Sequence, residues 1–359
     1  MMRLLRELNN ITAHYFPLAG NDFIVTTFSN EIIKLGAVCW EHKFSGIKYP
    51  KMVYGDNLFV QQREEGSLKE GTGCIDLKTG QQKKLNFLQS SVLLTCLFQE
   101  SKVLARHKDQ DRKKTIQLID IKSLKIDWTI DTDLQRVWGF DKGILGQFRG
   151  KNEFVFLDIR DGSIAWHYNL SALGTWLDHD GRKKQTQVNK IIGVQDDTIY
   201  ALLNSGKVLL LDIKSGEKIT VLKNDRHPKF DTFGNSIELD FKSNKLIQLA
   251  NQDFIEVDLE SLEISLTPIE DMKSSGLENF SNVVFDSDHV YFTDKNSQTL
   301  GALNRYTHKL DWIYKLPQER LSKSEQPRYG RGLKLKDNIF YVLDNKNTLH
   351  IFDKEVESV

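Results

Sequence analysis

Tyr200-Ala201-Leu202-Leu203-Asn204-Ser205-Gly206-Lys207-Val208-Leu209-Leu210-Leu211-Asp212-Ile213-Lys214-Ser215-Gly216 is the stretch that decides the fold. It reads as two short apolar strands around an Asn-Ser-Gly turn, closed by a Lys-Ser-Gly turn. A third strand follows at Ile219-Thr220-Val221-Leu222, and one more apolar run, Ile191-Ile192-Gly193-Val194, lies upstream. Apolar runs of this length, bounded by Gly, Ser and Asn, are strand signals. Val290-Tyr291-Phe292-Thr293 and Ile339-Phe340-Tyr341-Val342-Leu343, each with its own turn, repeat the scheme. The unit is four strands, here lettered A to D.

Its most regular element is an apolar run into Asp, a turn, and an apolar or aromatic residue eight positions later. Asp76, Asp120, Asp158 and Asp212 anchor the clearest copies, and Asp258, Asn304 and Asp353 anchor weaker ones. An eighth, degenerate copy puts Ile32 at the Asp position, because Gly36 and Trp40 have the spacing of Gly162 and Trp166. The anchors are separated by 38 to 54 residues, an average of about 46, which is the range of propeller blades. Trp40, Trp128, Trp166 and Trp312, four of the six tryptophans, fall on the eighth position. These positions are expected to be buried between neighbouring blades. The expected fold is therefore all-β, a single β-propeller domain over 1–359 with eight four-stranded blades; seven blades plus an irregular segment is the alternative. Propellers tie their first and last blades together to remove unpaired edges. Residues 2–8, with Leu4-Leu5, are expected to supply the outer strand that the truncated last unit lacks, or else to form a short helix.

These repeats resemble those of the pyrroloquinoline-quinone-like, quinoprotein-type β-propellers, whose mark is Leu-Asp, a Thr-Gly or Ser-Gly turn, and a closing Trp. Leu157-Asp158, Asp161-Gly162 and Trp166 match best, with Leu211-Asp212 and Ser215-Gly216. The resemblance covers nearly the whole chain and is one of scaffold. Thr220 and Leu266 replace the Trp, and Asn304 replaces the Asp. Quinone-dependent dehydrogenases of this type are longer and exported, and carry an adjacent Cys-Cys pair and a calcium site of carboxylates and Asn. That constellation is not identifiable here, so no cofactor is expected.

Chemistry elsewhere is sparse. The chain contains no His-Glu-x-x-His, no Gly-x-Ser-x-Gly, no phosphate loop and no Cys-x-x-Cys. Asp178-His179-Asp180-Gly181 lacks the third acidic position and the bidentate Glu of a calcium loop, and no metal is expected. Lys plus Arg number 49 and Asp plus Glu 49, so the formal net charge is zero. A general nucleic-acid binder would need positive excess. Arg112-Lys113-Lys114 and Arg182-Lys183-Lys184 are flanked by Asp and read as mixed-charge loops. The first residues lack the apolar core of a signal peptide, no apolar run has the length of a membrane span, and Cys39, Cys74 and Cys96 lack paired spacing. The expectation is a cytoplasmic protein, monomeric on its own.

Strand alternation assigns each connection to an end of the blades. D–A and B–C connections share one end, the top, and A–B and C–D turns share the other. The long insertions, 106–114, 170–188, 223–236, 268–280 and 316–330, are all of the first kind. Long loops on a rigid scaffold are where binding residues gather. They carry Trp176, His179, Arg182, His227, Phe230, Arg320, Arg328, Tyr329 and Arg331, side chains able to anchor a protein partner. The expected function is a non-enzymatic module binding another protein through these loops, as an adaptor or as an immunity protein neutralising a toxin. The alternative is a lyase or hydrolase acting in the central channel.

Overall fold

In a computed structural model, the chain forms eight four-stranded antiparallel sheets, the blades of a β-propeller, and among the described residues one further sheet of two strands. The described residues are all of 1–359 except 1, 19–21, 30, 44–46, 64–69, 84, 86–87, 89, 95–97, 109–112, 133, 149–150, 179, 224–232, 251, 278–279, 295–298, 316–331, 337, 345–346 and 355–359. Blades 1 to 8 occupy residues 11–43, 47–83, 91–130, 134–169, 188–222, 238–268, 280–315 and 332–354. Helix is sparse among the described residues: the five residues Glu270–Ser274, a 3-10 turn at Leu170–Leu173, and Leu88 in 3-10 conformation. Eight blades replace the seven-blade alternative.

The blades fall into two compact units of four. One is His42–Phe233, holding blades 2 to 5; the other is Met1–Glu41 with Gly234–Val359. In the second, the strand Met2–Leu8 pairs antiparallel with Leu349–Lys354 and becomes the outer strand of blade 8. The first residues are thus a closing strand and not a helix. His350, buried in that blade, has its ring nitrogens 2.9 Å from carboxylate oxygens of Glu7 on the closing strand and of Asp344.

The repeated Asp has one local task. Asp212 Oδ1 accepts the amides of Lys214 and Ser215 at 3.0 and 2.7 Å; Asp76, Asp120 and Asp258 accept the equivalent amides, and Asn304 does so with its amide oxygen. That explains the tolerance for Asn at one anchor. The following residue donates its amide to the same blade's A–B turn, as Ile213 does to Asp197 O at 2.7 Å, so the two turns are stitched together.

The Trp position joins one blade to the next. Trp128 Nε1 donates to Ile159 O at 2.7 Å and Trp166 Nε1 to Ile213 O at 2.8 Å, each carbonyl lying one residue past the next blade's Asp. The Trp166 ring lies on Gly216, at which a Cβ would come 2.5 Å from the ring. Gly216 has φ of 72°, so the site demands glycine for both conformation and space. A β-bulge precedes this position: the C–D register slips between Phe156 and Leu157, between Leu118 and Ile119, between Leu210 and Leu211, and between Ala302 and Leu303.

Two expectations need correction. Only Trp166 is buried; Trp40, Trp128 and Trp312 are half-buried, because strand D is outermost and one face of it meets solvent. Ile32 is not at the anchor place. It lies inside the strand Glu31–Leu35, paired with Thr26, and the strand runs on to Leu35, three residues past it. There the turn is capped from the A–B side, by Asp22 Oδ1 accepting the Ala37 amide at 2.8 Å.

The turn aspartates make stability acid-sensitive. Lys102 and the Ser123 amide hold the Asp120 carboxyl down to about 2; Arg160 holds Asp158, and Lys142 with Lys214 holds Asp197, at about 2 as well. A carboxyl depressed on folding stabilises the fold above its unfolded pKa and loses that contribution as pH falls through the folded value. The expected urea midpoint is level at neutral pH and falls between about pH 4 and about pH 2, measured by tryptophan fluorescence. A midpoint unchanged across that window would count against these caps.

Candidate functional site

The two-stranded sheet outside the blades is built from the D–A insertion between blades 4 and 5. Asn169 ends strand D and its Oδ1 accepts the Ser171 amide at 2.9 Å, capping the turn Leu170–Leu173. Leu170 is fully buried in the core shared by blades 4 and 5, which pins the start of the insertion. Gly174, at φ 74°, redirects the chain into the strand Thr175–Leu177, which pairs with Lys183–Gln185. At the tip the Asp178 amide donates to Arg182 O at 3.0 Å, and Asp178 Oδ1 accepts the amides of Asp180 and Arg182. At the base Thr186 Oγ1 donates to Gly174 O at 2.8 Å, while Asn204 Nδ2 in the B–C turn of blade 5 donates to Gln185 O at 3.0 Å. The hairpin is fixed at both ends by hydrogen bonds that the sequence supplies locally.

Directly opposed residues share a face, so Trp176 and Lys184 lie on one side, and Thr175, Leu177, Lys183 and Gln185 on the other. Trp176 is half-buried, and its indole N–H is sealed from solvent without an acceptor among the described residues. Leu177, 67% exposed, is the presented apolar side chain. Arg182 is exposed, 3.9 Å from Asp180; Lys184 stands 3.6 Å from Asp178. An exposed pair such as Arg182 with Asp180 contributes about 0–1 kcal/mol. Of the other residues expected to bind, His179, His227, Phe230, Arg320, Arg328, Tyr329 and Arg331 lie outside the described residues.

A second D–A insertion, residues 269–277, does something different. Ile269, Met272 and Leu277 are buried in the core of blades 6 and 7, and Asp271 Oδ2 accepts the Leu310 amide at 3.2 Å. This insertion buries its apolar side chains in the core of blades 6 and 7. At the other end of the same unit, Phe241 and Tyr306 are 62% and 73% exposed, an aromatic pair that the loop-length reading overlooked.

Titratable groups converge on Asp286 in blade 7. Burial alone would raise its carboxyl, but Lys354, the amides of Asp288 and His289, and the Tyr291 hydroxyl bring it to about 2. Burial and the hydrogen bond to Asp286 push the Tyr291 hydroxyl well above the usual phenol range. His289 Nε2 lies 2.9 Å from Asp311 Oδ2. These contacts tie blade 7 to Lys354 of blade 8 and leave the buried His289 Nδ1 without a hydrogen-bond partner among the described residues. Among the described residues no three His, Cys, Asp or Glu gather as a metal site, and no helix is long and apolar enough to cross a membrane.

Residues 147–314 match the family model of the outer membrane protein assembly factor BamB. No curated protein sequence matches the chain. Among solved structures, BamB from Moraxella catarrhalis is similar over 99% of this chain and 100% of its own, with a TM-score of 0.63 at 13% identity. The computationally designed Ika8 protein is similar over 98% of each chain, with a TM-score of 0.62 at 12% identity. Identities this low speak to fold, and the resemblance to PQQ-like β-propeller repeat proteins carried by the Asp, Gly and Trp positions holds for both the family model and the three-dimensional structure.

Proposed function

We propose that the chain is a non-enzymatic scaffold that binds another protein through its D–A and B–C connections, with the hairpin of residues 175–185 at the centre of the contact. The observation that carries this reading is a two-stranded sheet outside the blades, with Leu177 and Arg182 exposed and its base held by hydrogen bonds. A rigid base lowers the ordering entropy lost on binding. The name of the matching family, an assembly factor, supports a protein as the ligand class. An adaptor or toxin-neutralising role in the cytoplasm, with Cys39 and Cys74 as free thiols, is the form of this function we favour.

The test is native co-purification. The double variant Leu177→Ala with Arg182→Ala is expected to lose the partner, each truncation weakening binding by about 2 kcal/mol at an anchor position, with the unfolding midpoint unchanged. Changes at Lys78, Arg160 and Lys214 in the C–D turns, and at Phe241 and Tyr306, are expected to leave the partner bound. The opposite pattern would invert the assignment.

A further inference from the structure

We propose that the hairpin takes its partner by strand addition: an extended, acidic segment lies along the Thr175–Leu177 edge as a third strand. This rests on the reading of the hairpin as the binding surface and specifies how it binds and what it prefers.

The edge follows from the hydrogen-bond alternation. The Asp178 amide points inward to Arg182 O, so Trp176 faces Lys184 through its main chain, and the main-chain groups of Thr175 and Leu177 point off the outer edge. The other strand is not equivalent, since Gln185 O is already taken by Asn204. A two-stranded ribbon is marginal in water and gains from a third strand.

This edge also lacks the devices that protect other edges. The outer strands of blades 3, 4, 5 and 7 carry β-bulges, and the closing strand is irregular between Leu4 and Arg6. Thr175–Leu177 runs in unbroken register with Lys183–Gln185 and holds no proline, no charge and no bulge. Unprotected edges of this kind are templates for pairing.

Charge selects the occupant. On the presented face Leu177 stands beside Lys183, which has no ion-pair partner among the described residues, and Arg182 is exposed at the tip. Lys151 and Lys207 lie on the B–C turns of the two blades that hold the hairpin. A strand alternating aliphatic and acidic side chains packs on Leu177 and meets this basic surround.

The probe is a fluorescein-labelled peptide of alternating Glu and Val, titrated with the full chain and followed by anisotropy at low salt. Binding is expected, weakened about tenfold or more when Lys replaces Glu or when alternate peptide nitrogens are methylated. Lys183→Glu should weaken it comparably. Leu177→Pro should bind about tenfold more weakly than Leu177→Ala, because only proline also removes the outward amide, which makes no bond within the hairpin. Absence of binding, or indifference to methylation and to proline, overturns the proposal. If Leu177→Ala with Arg182→Ala still releases the co-purified partner in that case, the surface stands and only the strand-addition mode fails.

Discussion

Trp166→Ala is expected to lower the unfolding free energy by ~3–5 kcal/mol, the range for emptying a large aromatic site that cannot collapse. The side chain is 7% exposed, stacks on Phe156 with ring centroids 5.5 Å apart, and meets Phe154 edge-on at 6.2 Å. It also covers Gly216 and donates to Ile213 O, so its loss opens a cavity and orphans a carbonyl in the neighbouring blade. Trp128→Ala removes the same kind of bond, to Ile159 O, from a half-buried position. The expected loss there is smaller, about 1–3 kcal/mol. Denaturant unfolding of the two variants settles the order. A Trp128→Ala variant less stable than Trp166→Ala would show that burial does not govern this joint.

The sequence made the scaffold legible because the Asp, Gly and Trp positions are consequences of backbone geometry. A turn needs its amides capped, its left-handed fourth residue favours glycine (Gly80, Gly162 and Gly216, but Leu124, Leu262 and His308 in three other blades), and a ring that covers such a glycine must come from a fixed place on the previous blade. Each demand leaves a residue type at a fixed offset. Where another part of the chain meets the demand, the signal vanishes, as in blade 1, where Asp22 caps the turn and the anchor reading slipped by three residues to Ile32. The half-burial of Trp128 was not legible either, since offset alone does not report which face of an outer strand meets water.

At the hairpin, residue type singled out Trp176, which the structure places half-buried, while its neighbour Leu177 is 67% exposed. Period-two alternation was the available signal: had 175–177 been read as a strand, Trp176 and Leu177 would have been placed on opposite faces. A mixed-charge stretch around Asp178 and Gly181 does not look like a strand until its pairing with Lys183–Gln185 is known. Loop length likewise did not distinguish an insertion that presents side chains from one that buries Met272.

Arg305→Ala is expected to destabilise the fold by ~3–5 kcal/mol, the cost of leaving one member of a sealed ion pair alone. Arg305 follows the Asn304 anchor of blade 7 and pairs with Asp240 in the A–B turn of blade 6; the two side chains are 9% and 6% exposed. Its other nitrogen donates to Asp286 O at 2.8 Å, and the guanidinium lies over the Phe285 ring. Burial pushes the Asp240 carboxyl up, and Ser243 and Arg305 more than offset this, so it sits below the usual range. Without Arg305 its lowering influence is lost and the Asp240 carboxyl holds its proton more tightly in the folded variant than in the folded parent. The folded variant therefore takes up a proton at higher pH than the folded parent, so its deficit is largest at neutral pH and shrinks as pH falls toward about 4. A cavity alone would give a deficit that pH does not change. Asp240→Asn combined with Arg305→Met removes both charges and keeps most of the volume, so it should recover part of the loss at pH 7. If the single and double variants are equally unstable and the deficit is flat with pH, the pair acts through packing and not through charge.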